Sequence, residues 1–254
     1  MTYYQPLGDG VYRPTIHTQG AWQETEQHMG PASGLLAHAL ELHEPREDLQ
    51  LARISFDILG MIHLEDSTIR TRTVRPGRTI ELVEATMSSG GRDVIRASGW
   101  RLSTQDTSAV AGTAVEPLPG PERLEPWQGM QVWGGGYISS VEFRAVEPPV
   151  PGRARVWLHT EHDLVEGVPS TPLARFVGLV DTANGIAVRQ SPREWLFPNT
   201  DLTIHFHRPP TGRWVGLDTT VSWGGTGLGV TSTVLHDEHG PVGHALQVLT
   251  VRAQ

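Results

Sequence analysis

The sequence predicts an α+β fold of two tandem halves, each an antiparallel sheet with one helix laid across it. Three observations carry that expectation. Apolar residues fall mostly in short alternating runs rich in β-branched side chains, the period of half-buried strands. Helix-like periodicity is confined to two places. Finally, a local pattern recurs: Arg75-Pro76-Gly77-Arg78-x-Ile80-x-Leu82, followed by Thr86 and Gly90-Gly91, returns as Arg208-Pro209, then Gly212-Arg213-x-Val215-x-Leu217, followed by Thr220 and Gly224-Gly225. The recurrence implies a fused duplication, with an N-terminal half over residues 1–116, a linker over 117–136 and a C-terminal half over 137–254.

In the first half, Gly30-Pro31-Ala32-Ser33 starts a helix whose apolar stripe, Leu35, Ala39 and Leu42, continues through about His43. Strands are expected over Leu51–Ile62, Thr68–Val74, Thr79–Met87 and Val94–Leu102. From Pro117 to Gly136 repeated Pro and Gly, ending in Trp133-Gly134-Gly135-Gly136, read as the connection between halves, too long for a hairpin loop. In the second half, strand-like runs Ile138–Val146 and Ala154–His159 precede a helix near Pro172 to Gln190, opened by Thr171 as cap with Pro172 behind it and stopped by Ser191-Pro192. Strands follow over Leu202–Phe206, Trp214–Trp223, Gly229–Leu235 and Val242–Val251. A sheet with one apolar face must cover it, and a lone helix does so in each half.

Composition narrows the function. A chain of 254 residues buries a sizeable core as one large domain or two small ones. It has no cysteine, which removes disulfides, thiolate nucleophiles and cysteine-ligated metals and fits a reducing cytoplasm. The N-terminus lacks the basic flank and apolar run of a secretory signal, and no window approaches the ~18 consecutive apolar residues of a membrane span, so a cytoplasmic protein is expected. A net charge of −8 argues against a nucleic-acid partner. All 20 basic residues are arginine, whose planar fork suits phosphate.

Two polar residues break their own pattern. Asp181 falls with Val177, Asn184 and Val188 at i, i+4, i+7 and i+11, so the acid shares the apolar stripe and should face the sheet. The first-half segment Ala32-Ser33-Gly34-Leu35-Leu36-Ala37, set beside Ala183-Asn184-Gly185-Ile186-Ala187, has no leading acid. Gln247 sits in Ala245-Leu246-Gln247-Val248-Leu249, where the corresponding strand Val94–Leu102 contains no amide. Buried polar groups need partners, so the two are expected to meet, directly or through a water. A third candidate, Asn199, shares strand parity with Asp201, Thr203 and His205; a turn role after Pro198 is the other reading.

Louder motifs carry less. His205-x-His207 puts two imidazoles on one strand face without a third ligand at a set spacing, so no metal site is expected. The run His236-Asp237-Glu238-His239-Gly240 reads as a solvated turn, and Gly224–Gly229 as a bulge without the ending of a phosphate loop. Ser33 misses the spacing of a nucleophile elbow, which leaves chemistry done by water.

The blocks Gly178-Leu179-Val180-Asp181-Thr182-Ala183-Asn184-Gly185, Asn199 through His207-Arg208-Pro209, and Gly243-His244-Ala245-Leu246-Gln247 resemble the second-half signature of type II, double-hotdog acyl-CoA thioesterases. The block from Gly30 through Arg75-Pro76-Gly77 is similar to that family's first hotdog. The resemblance implies a double hotdog in which each half wraps a sheet around a central helix, an active site between the halves, and a nucleophilic water held by an Asp, a Gln and a hydroxyl residue. By position these are Asp181 and Gln247, with Asn199 where the family has Ser or Thr and with Thr200 and Thr203 as alternatives. It also implies an acyl-CoA substrate, no cofactor beyond the CoA of that substrate, and a homo-oligomer, dimer or larger. The expected activity is hydrolysis of acyl-CoA to free acid and CoA. The alternative is a non-catalytic or weakly catalytic acyl-CoA-binding protein, motivated by Asn199. A hotdog hydratase is disfavoured, because the Asp-x-Asn-Pro-x-His it would need is here Asp181-Thr182-Ala183-Asn184-Gly185.

Overall fold

A computed structural model describes residues 1–254. The first half runs β1 (Thr2–Gly8), β2 (Val11–Pro14), α1 (Met29–Leu42), β3 (Leu49–Ile58), β4 (Ser67–Arg75), β5 (Ile80–Ser89) and β6 (Arg92–Ser103). The second runs α2 (Gly136–Ser139), β7 (Glu142–Ala145), β8 (Arg153–His159), β9 (Asp163–Val165), α3 (Pro172–Val180), α4 (Ala183–Ile186), β10 (Trp195–Leu196), β11 (Asp201–Phe206), β12 (Val215–Trp223), β13 (Leu228–Asp237), β14 (Gly240–Thr250) and β15 (Arg252–Ala253). Thirteen strands form one sheet in the order β7-β8-β12-β13-β14-β11-β3-β6-β5-β4-β2-β1-β9, while β10 and β15 pair separately. The halves are therefore fused edge to edge through the antiparallel β3–β11 pair, where Ile54 stands opposite Ile204.

This continuous sheet curls around α1 and α3, which pack on each other inside it. Their axes approach closely because small residues meet at the crossing: a Cβ at Gly34 would lie 3.0 Å from Gly178 Cα and 3.0 Å from Ala174 O. One core of 45 buried apolar residues spans both halves, with Leu35, Leu36 and Leu40 of α1 and Val177 and Val180 of α3 fully enclosed. Arg101 on β6 donates to the carbonyls of Leu40, His43 and Glu44 and pairs with buried Glu81, placing a cation at the end of α1 where the helix dipole favours it. No helix is long and apolar enough to cross a membrane.

The double-hotdog α+β architecture is as expected, but several details differ. The duplication is one of element order, helix then strand then three-stranded meander, and the Gly-Arg block does not align it. Sheet order makes β3, β4, β5 and β6 the counterparts of β11, β12, β13 and β14. The first Gly-Arg copy opens β5 and the second opens β12, one strand out of phase. A glycine turn followed by alternating apolar residues marks any strand start, so the match carried less than it promised. Ala183-Asn184-Gly185 likewise lies beyond the end of α3 and is no counterpart of Ala32-Ser33-Gly34.

The expected 172–190 helix is short. Thr171 caps it as foreseen, its Oγ1 accepting from Ala174 N at 3.1 Å, but α3 stops at Val180 and Asp181 is its C-cap residue. From Thr182 the amides turn to i−3 partners, Thr182 N on Leu179 O and Gly185 N on Thr182 O, which tightens and breaks the ladder. The predicted strand from Ile138 starts as α2, with strand only from Glu142. Gly224–Gly227 is the β12–β13 turn, with Gly227 at φ +89°, and Gly229 of β13 pairs with Trp223 without a bulge. The strands β1 and β2 went unforeseen.

Candidate active site

Asp181 lies at the end of α3 and is only 6 % exposed. Gln247 approaches it from β14 and is 1 % exposed, while its apolar neighbours Leu246 and Val248 are 50 % and 44 % exposed on the outer face. Alternation along the strand thus turns the amide inward and two aliphatic side chains outward, the reverse of an ordinary strand of this fold. Gln247 Nε2 donates to Asp181 Oδ1 at 3.0 Å and Asn199 Nδ2 donates to the same oxygen at 2.8 Å. All three residues singled out in the sequence come together.

Asn199 arrives by an irregularity that parity could not foresee. Thr203 pairs with Leu246 and Ile204 with Ala245, but Asn199 bridges to Leu249, so four residues on one chain span three on the other. That extra residue before β11 flips Asn199 to the inner face, where Leu249 also points. Its second amide hydrogen goes to Asp201 O at 3.0 Å, which locks the side chain. Thr200 is exposed, and Thr203 stands opposite half-exposed Leu246 on the outer face, so neither alternative shares the carboxylate. His205 and His207 are exposed on that outer side too.

Burial pushes the Asp181 carboxyl up from its ordinary 3.8 to about 6, and the two amide hydrogen bonds pull the other way by favouring the charged form. Both amides bind Oδ1, so Oδ2 accepts nothing from the protein. Asp181 borders a cavity of about 50 Å³ together with Asn199, Asn184, His28, Trp22 and Trp133. That volume admits water and no acyl group. A groove of about 780 Å³ shares Gly185 with the cavity; Trp127, Val132, Pro148 to Pro151 and Ile186 line it.

Sequence reasoning missed several residues around the carboxylate. His28 is the N-cap of α1, its Nδ1 accepting from Gly30 N at 2.9 Å. The same Nδ1 lies 3.6 Å from Asp181 Oδ2, but burial pushes the imidazole down to about 3, so the ring is neutral and the contact is no ion pair. Tyr137 stacks on His28 with centroids 4.1 Å apart. Its hydroxyl donates to Gly178 O and accepts from Thr182. Met130 and Trp133 come from the connection between halves, which is no solvated tether: Met130 is buried, and Trp133 Nε1 donates to Gly185 O at 3.0 Å. A histidine in a cap position two residues before Gly30 was the one legible signal among them. Arg208, in the His-Arg-Pro block, forms a bidentate pair with buried Asp237 that anchors the turn and leaves the cavity untouched.

The family model described as acyl-CoA thioesterase N-terminal domain matches residues 18–102, and the one described as acyl-CoA thioesterase C-terminal domain matches residues 115–251. No curated protein sequence matches. Among solved structures, a conserved protein with hot dog fold from Alicyclobacillus acidocaldarius superposes with TM-score 0.77 at 13 % identity, covering 97 % of this chain and 95 % of that one. A thioesterase candidate from Novosphingobium aromaticivorans gives 0.74 at 19 % identity and 98 % coverage of both chains. An acyl-CoA thioesterase II from Mycobacterium marinum gives 0.68 at 15 % identity, with 99 % and 95 % covered.

Proposed function

The chain belongs to the acyl-CoA thioesterase family and is a thioester hydrolase, and from that premise we propose that it hydrolyses acyl-CoA by water activated at Asp181, held in place by Gln247 and Asn199. The observation that carries this reading is the division of labour on one carboxylate: Oδ1 is fixed by two amides, Oδ2 accepts no hydrogen bond from the protein, and the residue borders a water-sized cavity. Asp181 Oδ2 takes a proton from water as the water oxygen bonds to the thioester carbon, and the carbonyl π pair moves onto oxygen. The intermediate collapses by breaking the C–S bond. The thiolate leaves readily, with a pKa near the ~8.5 of cysteine, and accepts the proton held by Asp181. The products are the carboxylic acid and CoA thiol, and Asp181 is again ionised.

Asn199 in place of Ser or Thr fits this scheme, because an amide donates to the carboxylate as a hydroxyl would. The small cavity has room for the attacking water, so the acyl chain needs other space. The apolar groove reaching Gly185 supplies it, and its lining has no basic residue to hold the phosphates of CoA there. Assembly into a dimer or larger homo-oligomer is part of the reading, supported by the exposed Leu228, Val230, Leu246 and Val248 on the outer face of β13 and β14; sedimentation at graded concentration measures it.

Thiol release from acyl-CoAs of graded length tests the function. Wild type is expected to turn over and Asp181→Asn to lose about 10²–10⁴-fold. Calorimetric binding of acyl-CoA without hydrolysis by wild type would instead favour the weakly catalytic binding protein.

A further inference from the structure

The attacked carbonyl oxygen gathers negative charge and needs a donor already in place. At the start of α1 the obvious backbone donor is spent, since Gly30 N–H is bound to His28 Nδ1. We propose that His28 is a catalytic residue whose Nε2–H donates to the thioester oxygen as charge develops there. The inference rests on the reading in which water is activated at Asp181.

Four observations support it. Because Nδ1 accepts a hydrogen bond, the proton of the neutral ring sits on Nε2, and the tautomer is set by the fold. Nε2 makes no hydrogen bond to any protein group, although the ring is largely buried and borders the cavity. Stacking on Tyr137 fixes the ring plane, and Tyr137 is itself tied to Gly178 O and Thr182. Nδ1 of the ring stands 3.6 Å from Asp181 Oδ2, which sets the imidazole beside the carboxylate that activates the water. Burial, which holds His28 well below its ordinary range, keeps it a neutral donor throughout the working pH range. The N-terminal end of the 14-residue α1 adds favourable potential for an anion.

Trp22 is the competing side chain, since it borders the cavity and its indole N–H has no partner. It is held edge-on against Trp133 and Phe197, with centroids 5.0 and 5.3 Å away, and makes no hydrogen bond to the carboxylate.

The test is His28→Asn. Asparagine caps helices well and keeps an acceptor for Gly30 N–H, but has nothing at the position of Nε2. The expected result is a kcat lower by about 10²–10³-fold, KM changed less than threefold, and an acid limb of the pH profile unmoved, because Asp181 still sets it. A kcat within threefold of wild type, or a shifted limb, overturns the proposal. Trp22→Phe is expected to lose less than His28→Asn, and the opposite order overturns it. Asp181→Asn runs alongside: if it is inactive while His28→Asn is fully active, only this inference fails, and if it is active the underlying reading fails. Should His28→Asn not fold, isotope-edited infrared of acyl-CoA bound to Asp181→Asn decides. A thioester carbonyl stretch below its value in water supports a strong donor, and one at or above that value overturns it.

Discussion

Asp181→Asn should make the protein more stable as it makes it inactive, and the size of the effect follows from the site. The folded carboxyl titrates at about 6 and the unfolded one at 3.8, so folding raises the pKa by 6 − 3.8 = 2.2. At about 1.4 kcal/mol per unit that is about 3 kcal/mol of stability lost to the buried charge. The sign is the reverse of a salt-bridged acid. Below pH 3.8 the group is protonated in both states and costs nothing; stability then falls as pH rises through 6 and the full cost holds above about 7. Asparagine does not titrate, keeps an oxygen for the two amides of Asn199 and Gln247, and escapes the cost. Urea denaturation from pH 3.5 to 8 should therefore show the variant equal to wild type at the acid end and about 3 kcal/mol more stable at pH 8. Thiol release at pH 8 should fall by about 10²–10⁴-fold. A variant no more stable at pH 8, or a difference independent of pH, would refute the claim that Asp181 is held ionised at a desolvated site.

Other consequences follow from the same contacts. Activity needs the carboxylate, so kcat/KM should rise with pH and level off above about 6. Gln247→Ala and Asn199→Ala each remove a donor to Oδ1, so each should move that limb upward and lower the rate at pH 6 by about tenfold; a downward move would contradict the hydrogen-bond assignment. At the helix crossing, Gly34→Ala should destabilise by about 1–3 kcal/mol although alanine is the better helix former. The added Cβ would meet Ala174 O and Gly178 Cα at 3.0 Å, and backbone cannot step aside. A stabilised Gly34→Ala in thermal denaturation would show that the helices have room to part.

The architecture was legible because its signals are periodic. Alternation located the strands of both meanders, and Thr171-Pro172 placed the start of α3 within a residue. Asp181 and Gln247 were legible as polar residues in apolar surroundings. The Asp181 argument was right about burial, but its stripe was drawn along a helix that ends at Val180, with Asp181 as the C-cap residue. What stayed hidden depends on non-local geometry. The single-residue slip that turns Asn199 inward exists only in its pairing with β14. The place of Met130 and Trp133 over the cavity depends on how a Pro- and Gly-rich connection folds back, which no local period records. His28 was passed over because histidine is an uncommon helix cap, and its proximity to Asp181 arises only when α1 and α3 cross.

The most direct test follows the origin of the oxygen in the product. One turnover with enzyme in excess, run in ¹⁸O-labelled water, separates water attack from attack by the carboxylate itself. Activation of water at Asp181 predicts one ¹⁸O in the released acid and none in the peptide carrying Asp181. An unlabelled first-turnover acid, with ¹⁸O appearing in the Asp181 side chain, would contradict it.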